Sequence, residues 1–300
     1  MLPRVRSWAR SGKGLDGFVG YKAGMTHAIV VEDADNAFKG QEVFRPVTIV
    51  EVPPVFVYAI VGYEKTQLGL KAAGQVVAEK ATKFAKRSLS VAKKPSSLEK
   101  LEKANLSEVR VIALTQPEKA GVGKKTPEVL EIALGGTDAK QQLEYAKSVL
   151  GKEVKASEVF GEGDYVDFIS VTTGKGWQGV VKRFGVALNP HKATQHRRTG
   201  GTLGPERQGK IMFSVPRAGQ MGFHRRVERN KRIIRVSSDA KQAAPNGGFL
   251  DYGSLKSEFL VVEGSIAGPS RRVVRLRRAV SKKPSKKVEI KSISVQSRQG

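Results

Sequence analysis

Residues 43–61 read VFRPVTIVEVPPVFVYAIV, dense in Val, Ile, Phe and Tyr and broken by Pro46, Pro53 and Pro54. β-Branched and aromatic side chains fit a pleated, buried surface, and proline cannot donate to a strand ladder. The stretch therefore predicts two buried strands joined at the Pro-Pro turn, the material of a barrel or sandwich. Working outward, Val166–Val171 (VDFISV) alternates into a further strand that ends at Thr172. Phe259–Val262 and Val273–Leu276 predict short strands punctuated by Gly264, Gly268 and Pro269. Residues 76–158 have a different character. VVAEKATKFAKRSL and DAKQQLEYAKSVLGK predict helices, the second opening at Asp138 as N-cap and stopping at Gly151. Glu108–Leu114 and Glu128–Ala133 between them predict strands. Strand-rich sequence with the same turn chemistry resumes afterwards. The simplest architecture is mainly β: an antiparallel β barrel carrying an α/β insertion. No repeat of 20–50 residues is present. Near the C-terminus SKKPSKKVEIKS predicts a basic tail or an edge strand.

The 300 residues carry 53 Lys plus Arg against 28 Asp plus Glu, a net charge of +25 that implies a polyanionic partner. A 39% hydrophobic content still allows a real core. With no cysteine, disulfides, thiolate zinc sites and a cysteine nucleophile are excluded. The basic start MLPRVRSWARSGKG precedes no apolar run, and the longest apolar stretch, Val55–Val61, is far short of the ~20 residues that span a bilayer. The expectation is a cytoplasmic, soluble protein with no membrane partner.

The charge is unevenly placed: +1 over residues 1–35, +3 over 36–170, +13 over 171–235 and +8 over 236–300. The +13 segment has only Glu206 and Glu228 as acids, and from Gly174 it runs GKGWQGVVKRFGVALNPHKATQHRRTGGTLGPERQGKIMFSVPRAGQMGFHRRVERNKRIIRV. Glycines recur every few residues, cations lie between them, and Trp177, Phe184, Phe213 and Phe223 are interleaved. No hydrophobic period is sustained. Such a stretch buries too little apolar surface to offset an ordering cost of ~1–2 kcal/mol per residue, so it is expected to gain structure from a partner. Arg forks phosphates or guanine edges, Gly allows close backbone approach, and an aromatic ring stacks on an unpaired base. The mixture suits folded RNA. Helix-turn-helix spacing and Cys-His fingers, the usual DNA readers, are absent. The candidate RNA contacts are Lys175, Trp177, Lys182, Arg183, His191, Lys192, His196, Arg197, Arg198, Arg207, Lys210, Arg217, His224, Arg225, Arg226, Arg229, Lys231 and Arg232.

Several constellations imitate catalytic sites. GKGWQG lacks the spacing of a phosphate loop, and no Ser or Thr follows its lysine. His191, His196 and His224 have no nearby carboxylate or thiolate to complete a metal set. Glu32, Asp33 and Asp35 could imitate a two-metal nuclease cluster, but their place between HAIVV and Asn36 is better read as a solvated hairpin turn. No enzyme, cofactor, metal or small-molecule substrate is expected. A sequence-blind nucleic-acid chaperone and a magnesium nuclease built on Glu32, Asp33 and Asp35 are the alternatives.

GFVGYKAGMTH, GQEVFRPVTIVEVPP, GDYVDFISVTTGKGWQGVVKRFG and SVPRAGQMGFHRR followed by NKRIIRV resemble, in consistent order, the L-three family of large-subunit ribosomal proteins, in its archaeal and eukaryotic branch. The resemblance implies a translation-protein-type barrel with long basic extensions threaded through large-subunit ribosomal RNA, neighbouring large-subunit proteins as further partners, and a place in early assembly. It divides the chain into an N-terminal extension and first part of the barrel (1–75), the inserted α/β portion (76–160), a barrel strand and the start of the basic segment (161–188), a central RNA-penetrating loop (189–214), and the rest of the barrel with the basic C-terminal region (215–300). The loop, from Asn189 to Ser214, is implied to reach toward the peptidyl transferase centre and to support RNA geometry there, the RNA doing the chemistry. At its tip the family often has a tryptophan after a Gly-Pro pair; this chain reads Gly204, Pro205, Glu206. An indole wedges against bases, whereas a carboxylate is repelled by phosphate unless a cation or base amino group receives it.

Overall fold

The structure, a computed structural model, describes every residue except 1, 11, 13, 34, 92–97, 137, 205–208, 282, 283, 285 and 298–300, together with the side chain of Lys100. In chain order the strands are β1 (Gly17–Val31), β2 (Glu42–Glu51), β3 (Val55–Thr66), β4 (Gly69–Val77), β5 (Glu108–Leu114), β6 (Val129–Ala133), β7 (Glu153–Val154), β8 (Tyr165–Val171), β9 (Trp177–Gln178), β10 (Gly219–Gln220), β11 (Arg225–Ser237), β12 (Phe259–Glu263), β13 (Val273–Arg278) and β14 (Ile290–Ile293). The helices are α1 (Glu99–Lys103), α2 (Ala139–Val149) and α3 (Val180–Phe184). Contacts divide the chain into two units, Met1–Ser170 with Arg226–Gly300, and Val171–Arg225. No helix among the described residues is long and apolar enough to cross a membrane.

In the larger unit the fold is mainly β and its sheets are antiparallel. The pairings run β13-β8-β11-β12-β2-β1, and β1 pairs back to β13, so six strands form a ring with β14 added at the edge of β1. β1 is long enough to serve both neighbours: Gly17–Tyr21 pairs with β13, Ala28–Val30 with β14, and a bulge falls between Lys22 and Gly24 on its β2 side. At Gly20 a Cβ would lie 2.7 Å from Val50 Cγ1 and 2.9 Å from the Glu51 carbonyl oxygen, so only glycine lets the two strands approach there.

The Val43–Val61 stretch does form two strands, but they part company. β2 joins the ring, while β3 centres a second sheet, β4-β3-β5-β6, with β7 beside the start of β3. Pro53 and Pro54 offer no N–H to continue a ladder. Strands β3 and β4, from Val55 onward, therefore belong to the second sheet by pairing. α2 packs on β5 and β3. The two sheets share one core, with Phe18, Tyr21 and Phe168 from the ring, Ile60 and Ile132 from the second sheet and Leu101 from α1 all fully buried.

Glu51, completely buried at the end of β2, fastens this junction. Its carboxylate accepts the backbone N–H groups of Gly121 (2.8 Å), Lys256 (2.6 Å) and Ser257 (2.8 Å) and the Tyr252 hydroxyl. Burial, and then the nearby Glu51 charge, push that hydroxyl far above the usual phenol range. A second buried charge, Asp167 on β8, accepts Arg277 Nε and Nη2 of β13 at 3.1 and 2.8 Å and the Asn230 N–H of β11 at 2.9 Å. Arg277 also donates to the Ser7 carbonyl at 2.6 Å, and Arg275 to the Pro3 carbonyl at 3.2 Å, holding the N-terminal segment across β13. These two cations are structural.

Two expectations need correcting. VVAEKATKFAKRSL is not a helix: Val76 and Val77 complete β4, and the rest is irregular apart from one 3-10 turn at Ala85–Arg87. Its helix-forming Ala and Lys residues lose to the burial of Ala85 against Phe56, Tyr58 and Leu114. RRVERNKRIIRVS, read as lacking any hydrophobic period, is the 13-residue strand β11, with Ile233 and Ile234 in the core.

Candidate nucleic-acid interface

The smaller unit, Val171–Arg225, has two short arms and a long intervening loop. Opposed backbone bonds tie the arms: Thr172 N–H to the His224 carbonyl (3.0 Å), Lys175 N–H to Met221 (2.9 Å) and Met221 N–H to Gly176 (2.9 Å), beside the β9–β10 pair. At Gly222, φ +71°, an added Cβ would fall 2.0 Å from the Thr173 carbonyl oxygen, which makes glycine obligatory there. α3 closes at Gly185 in the left-handed region, as helix ends commonly do. Arg183 on α3 donates to the carbonyls of Arg217 (2.8 Å) and Gln220 (3.2 Å), fastening the returning arm. Within the loop, Asn189 gathers a turn: its side-chain amide donates to the His196 carbonyl at 2.8 Å and its N–H to the Arg197 carbonyl at 3.1 Å.

This unit has almost no core of its own. Val171 and Val180 are its buried hydrophobic side chains among the described residues. By contrast, eight of the sixteen exposed large hydrophobics lie within it, including Trp177 at 76% and Phe213 at 102% exposure. Apolar surface on this scale, in a segment with one acid, makes this unit the candidate for a partner-binding face.

The predicted contacts separate by environment. Lys175, Lys182, Lys192, Arg197, Arg198, Lys210 and Arg217 are exposed and meet no carboxylate among the described residues, and His191 and His196 are exposed beside them. Arg183 is half-buried and partly committed to the arm, while His224 and Arg225 are half-buried. Gly204 is exposed in the loop; Pro205, Glu206 and Arg207 lie outside the described residues. In the larger unit, on β11, Arg226 and Arg229 are exposed, and Lys231 stands 3.5 Å from Glu228.

Arg232 does not belong with them. It is buried, and its guanidinium is bound to Asp33 (2.8 Å) and Glu263 (3.1 Å). Burial opposes its charge, but Asp33 and Glu263 outweigh that and hold it above the usual arginine range. The same network disposes of the nuclease-like acids. Glu32 is buried against Arg45, Asp33 also meets Lys286 at 3.3 Å, and only Asp35, paired with Lys39, is solvated. Burial would raise the Asp33 carboxyl, yet Arg232 and Lys286 prevail and hold it below the ordinary range. No group of three or more His, Cys, Asp or Glu among the described residues could hold a metal ion.

Sequence reasoning under-weighted the exposed apolar residues. Phe184, Phe213 and Phe223 are exposed, as are Leu188, Leu203, Ile211 and Met212. The available signal was the presence of large apolar side chains where no hydrophobic period could bury them.

The family model described as Ribosomal protein L3 matches residues 2–300. The chain is 43% identical over 313 residues to "Large ribosomal subunit protein uL3" of Archaeoglobus fulgidus, covering 100% of this chain and 93% of that protein. It shows the same identity and coverage with the protein of that name from Methanococcus vannielii, and 40% identity over 314 residues, covering 100% and 87%, with the one from Methanopyrus kandleri. A family match along nearly the whole length, on a mainly β chain whose most basic unit lacks a core of its own, means that the chain belongs to the ribosomal protein L3 family and is a structural component of the ribosome rather than an enzyme.

Proposed function

We propose that this chain is a constituent of the large ribosomal subunit in the cytoplasm, that it binds large-subunit ribosomal RNA through residues 171–235, and that it supports early assembly and the RNA around the peptidyl transferase centre. The observation that carries the reading is the smaller unit itself: exposed cations and exposed rings alternate on a backbone with little apolar burial and one acid in its sequence. Cations on such a frame neutralise phosphates and release counterions, and Trp177, Phe184, Phe213 and Phe223 offer faces for unpaired bases. The contact set is the predicted one without Arg232, and with Arg183 acting mainly through the arm it fastens. Neighbouring proteins of the subunit complete the partners, and the segment 189–214 takes the position near the peptidyl transferase centre that the family resemblance assigns to it.

Binding of the full chain to large-subunit ribosomal RNA, measured across a salt series, tests this. The logarithm of the affinity should fall linearly with the logarithm of salt concentration. Replacing Lys192, Arg197, Arg198 and Lys210 by alanine should flatten that slope by about 3, at roughly 0.7 to 0.9 per lost phosphate contact, without moving the thermal unfolding midpoint. Equal binding to an unrelated RNA of the same length would favour a sequence-blind chaperone instead.

A further inference from the structure

We propose that a cavity on the outer face of β1 and β2, formed outside residues 171–235, is a pocket for a single unpaired base of the RNA; the inference rests on the RNA-binding reading above. The cavity is about 360 Å³, near the lower end of the range of small-ligand pockets. Its walls come from four segments of the larger unit: Met25 and His27 on β1, Phe44 on β2, Phe249 and Leu250 in the loop before β12, and Gln296 after β14.

The pocket is built rather than incidental. At Gly24 an added Cβ would lie 2.5 Å from Phe249 Cδ1, so glycine is what allows that ring to form the floor against β1. The loop bearing Phe249 is closed by reciprocal backbone bonds with Gly253 at 2.8 and 2.9 Å. The C-terminal wall is fixed to β1 by Ser294 N–H donating to the His27 carbonyl (3.0 Å) and by the Thr26 hydroxyl donating to the Ser294 carbonyl (2.8 Å).

Its chemistry is that of a base. His27 and Phe44 stack with centroids 4.2 Å apart at 26°, although His27 is only half-buried and Phe44 is 59% exposed. An outward aromatic pair, with Met25 and Leu250 exposed beside it, presents a ready face for stacking. No Lys, Arg, Asp or Glu is among the described residues that line the cavity, in a chain of which 27% is charged. Such a lining fits a base better than a phosphate. The His27 ring and the Gln296 amide supply hydrogen-bonding groups suited to a base edge. Residues 236–300, which supply the Phe249 loop and the C-terminal wall, carry +8, a charge that draws RNA rather than an apolar protein segment to this surface.

The test uses the full chain with large-subunit ribosomal RNA transcribed in vitro, irradiated for zero-length crosslinks that are mapped by mass spectrometry. A nucleotide adduct within residues 25–27, 44–46 or 248–250 is expected. Phe44→Ala, and independently Leu250→Ser, should weaken binding about ten-fold with unchanged thermal unfolding, since stacking on one base is worth roughly that factor. Adducts confined to residues 171–235, or variants that bind within two-fold of the wild type, would overturn the pocket and leave the wider reading standing. Absence of RNA binding by the wild type would remove both, and a crosslink from this cavity to a neighbouring protein in the assembled subunit would assign it to a protein contact instead.

Discussion

The Asp16 carboxyl is completely buried; one oxygen accepts the Arg10 N–H at 2.8 Å, and the other finds no hydrogen-bond partner among the described residues. Burial pushes its pKa up to about 6 against the pull of the Arg10 N–H and of Arg278. A carboxyl that holds its proton more tightly when folded favours the fold most when protonated. Its contribution is fully present below about pH 4 and is lost as pH rises through about 6. Asp16→Asn keeps an acceptor for Arg10 without the charge. It should raise stability at pH 7 by on the order of 1–2 kcal/mol and remove that loss between pH 4 and 6, as thermal unfolding across pH would read. Arg232 behaves in the opposite sense. Removing it strands Asp33 and Glu263 in a mostly buried network, so Arg232→Ala should cost about 3 kcal/mol of stability. Arg197→Ala and Arg198→Ala, at exposed positions, should cost almost none. Denaturant unfolding of the three variants separates a structural cation from an interface cation.

Among the elements, β1 carries the closure of the ring, because it alone pairs with β2, β13 and β14. Gly20 sits where that closure is tightest. Gly20→Val should overpack against Val50 and Val52 and lower stability by about 1–3 kcal/mol, more than the same change at Gly179, where an added Cβ meets nothing; denaturant titration reads the difference. The strands legible in the sequence were those with dense β-branched residues. β5 begins and ends at Glu108 and Leu114, as read, and β2, β3, β8, β12 and β13 appear where their Val and Ile residues put them. β4 was hidden by its composition: GLKAAGQVV is mostly exposed and has neither alternation nor bulk. β11 was hidden by charge, since its cations face solvent or half-buried acids while Ile233 and Ile234 are its buried hydrophobic side chains. That β2 and β3 lie in different sheets is a non-local fact that no local pattern encodes. The candidate interface was legible as a region because charge is additive along the chain. The burial of Arg232 was not legible, because it depends on Asp33 and Glu263, distant in sequence, and on no local signal.

For the whole molecule, the buried core and the largest share of the proposed RNA contacts lie on different stretches of chain. The buried side chains concentrate in Met1–Ser170 with Arg226–Gly300, whereas Val171–Arg225 contributes Val171 and Val180 and most of its remaining apolar surface is exposed. Replacing residues 187–216 by a flexible Gly-Ser linker deletes none of the buried core and leaves the β9–β10 pair, α3 and the Arg183 anchor to Arg217 in the sequence. The barrel should therefore unfold within a few degrees of the wild type. The same change removes five cations, Lys192, Arg197, Arg198, Arg207 and Lys210. At roughly 0.7 to 0.9 per phosphate contact, the salt slope of RNA binding should flatten by up to about 4. If calorimetry instead showed the barrel itself unfolding with the loop gone, the division of labour would be wrong, because side chains within 187–216 would then have to supply packing that the larger unit's own core does not.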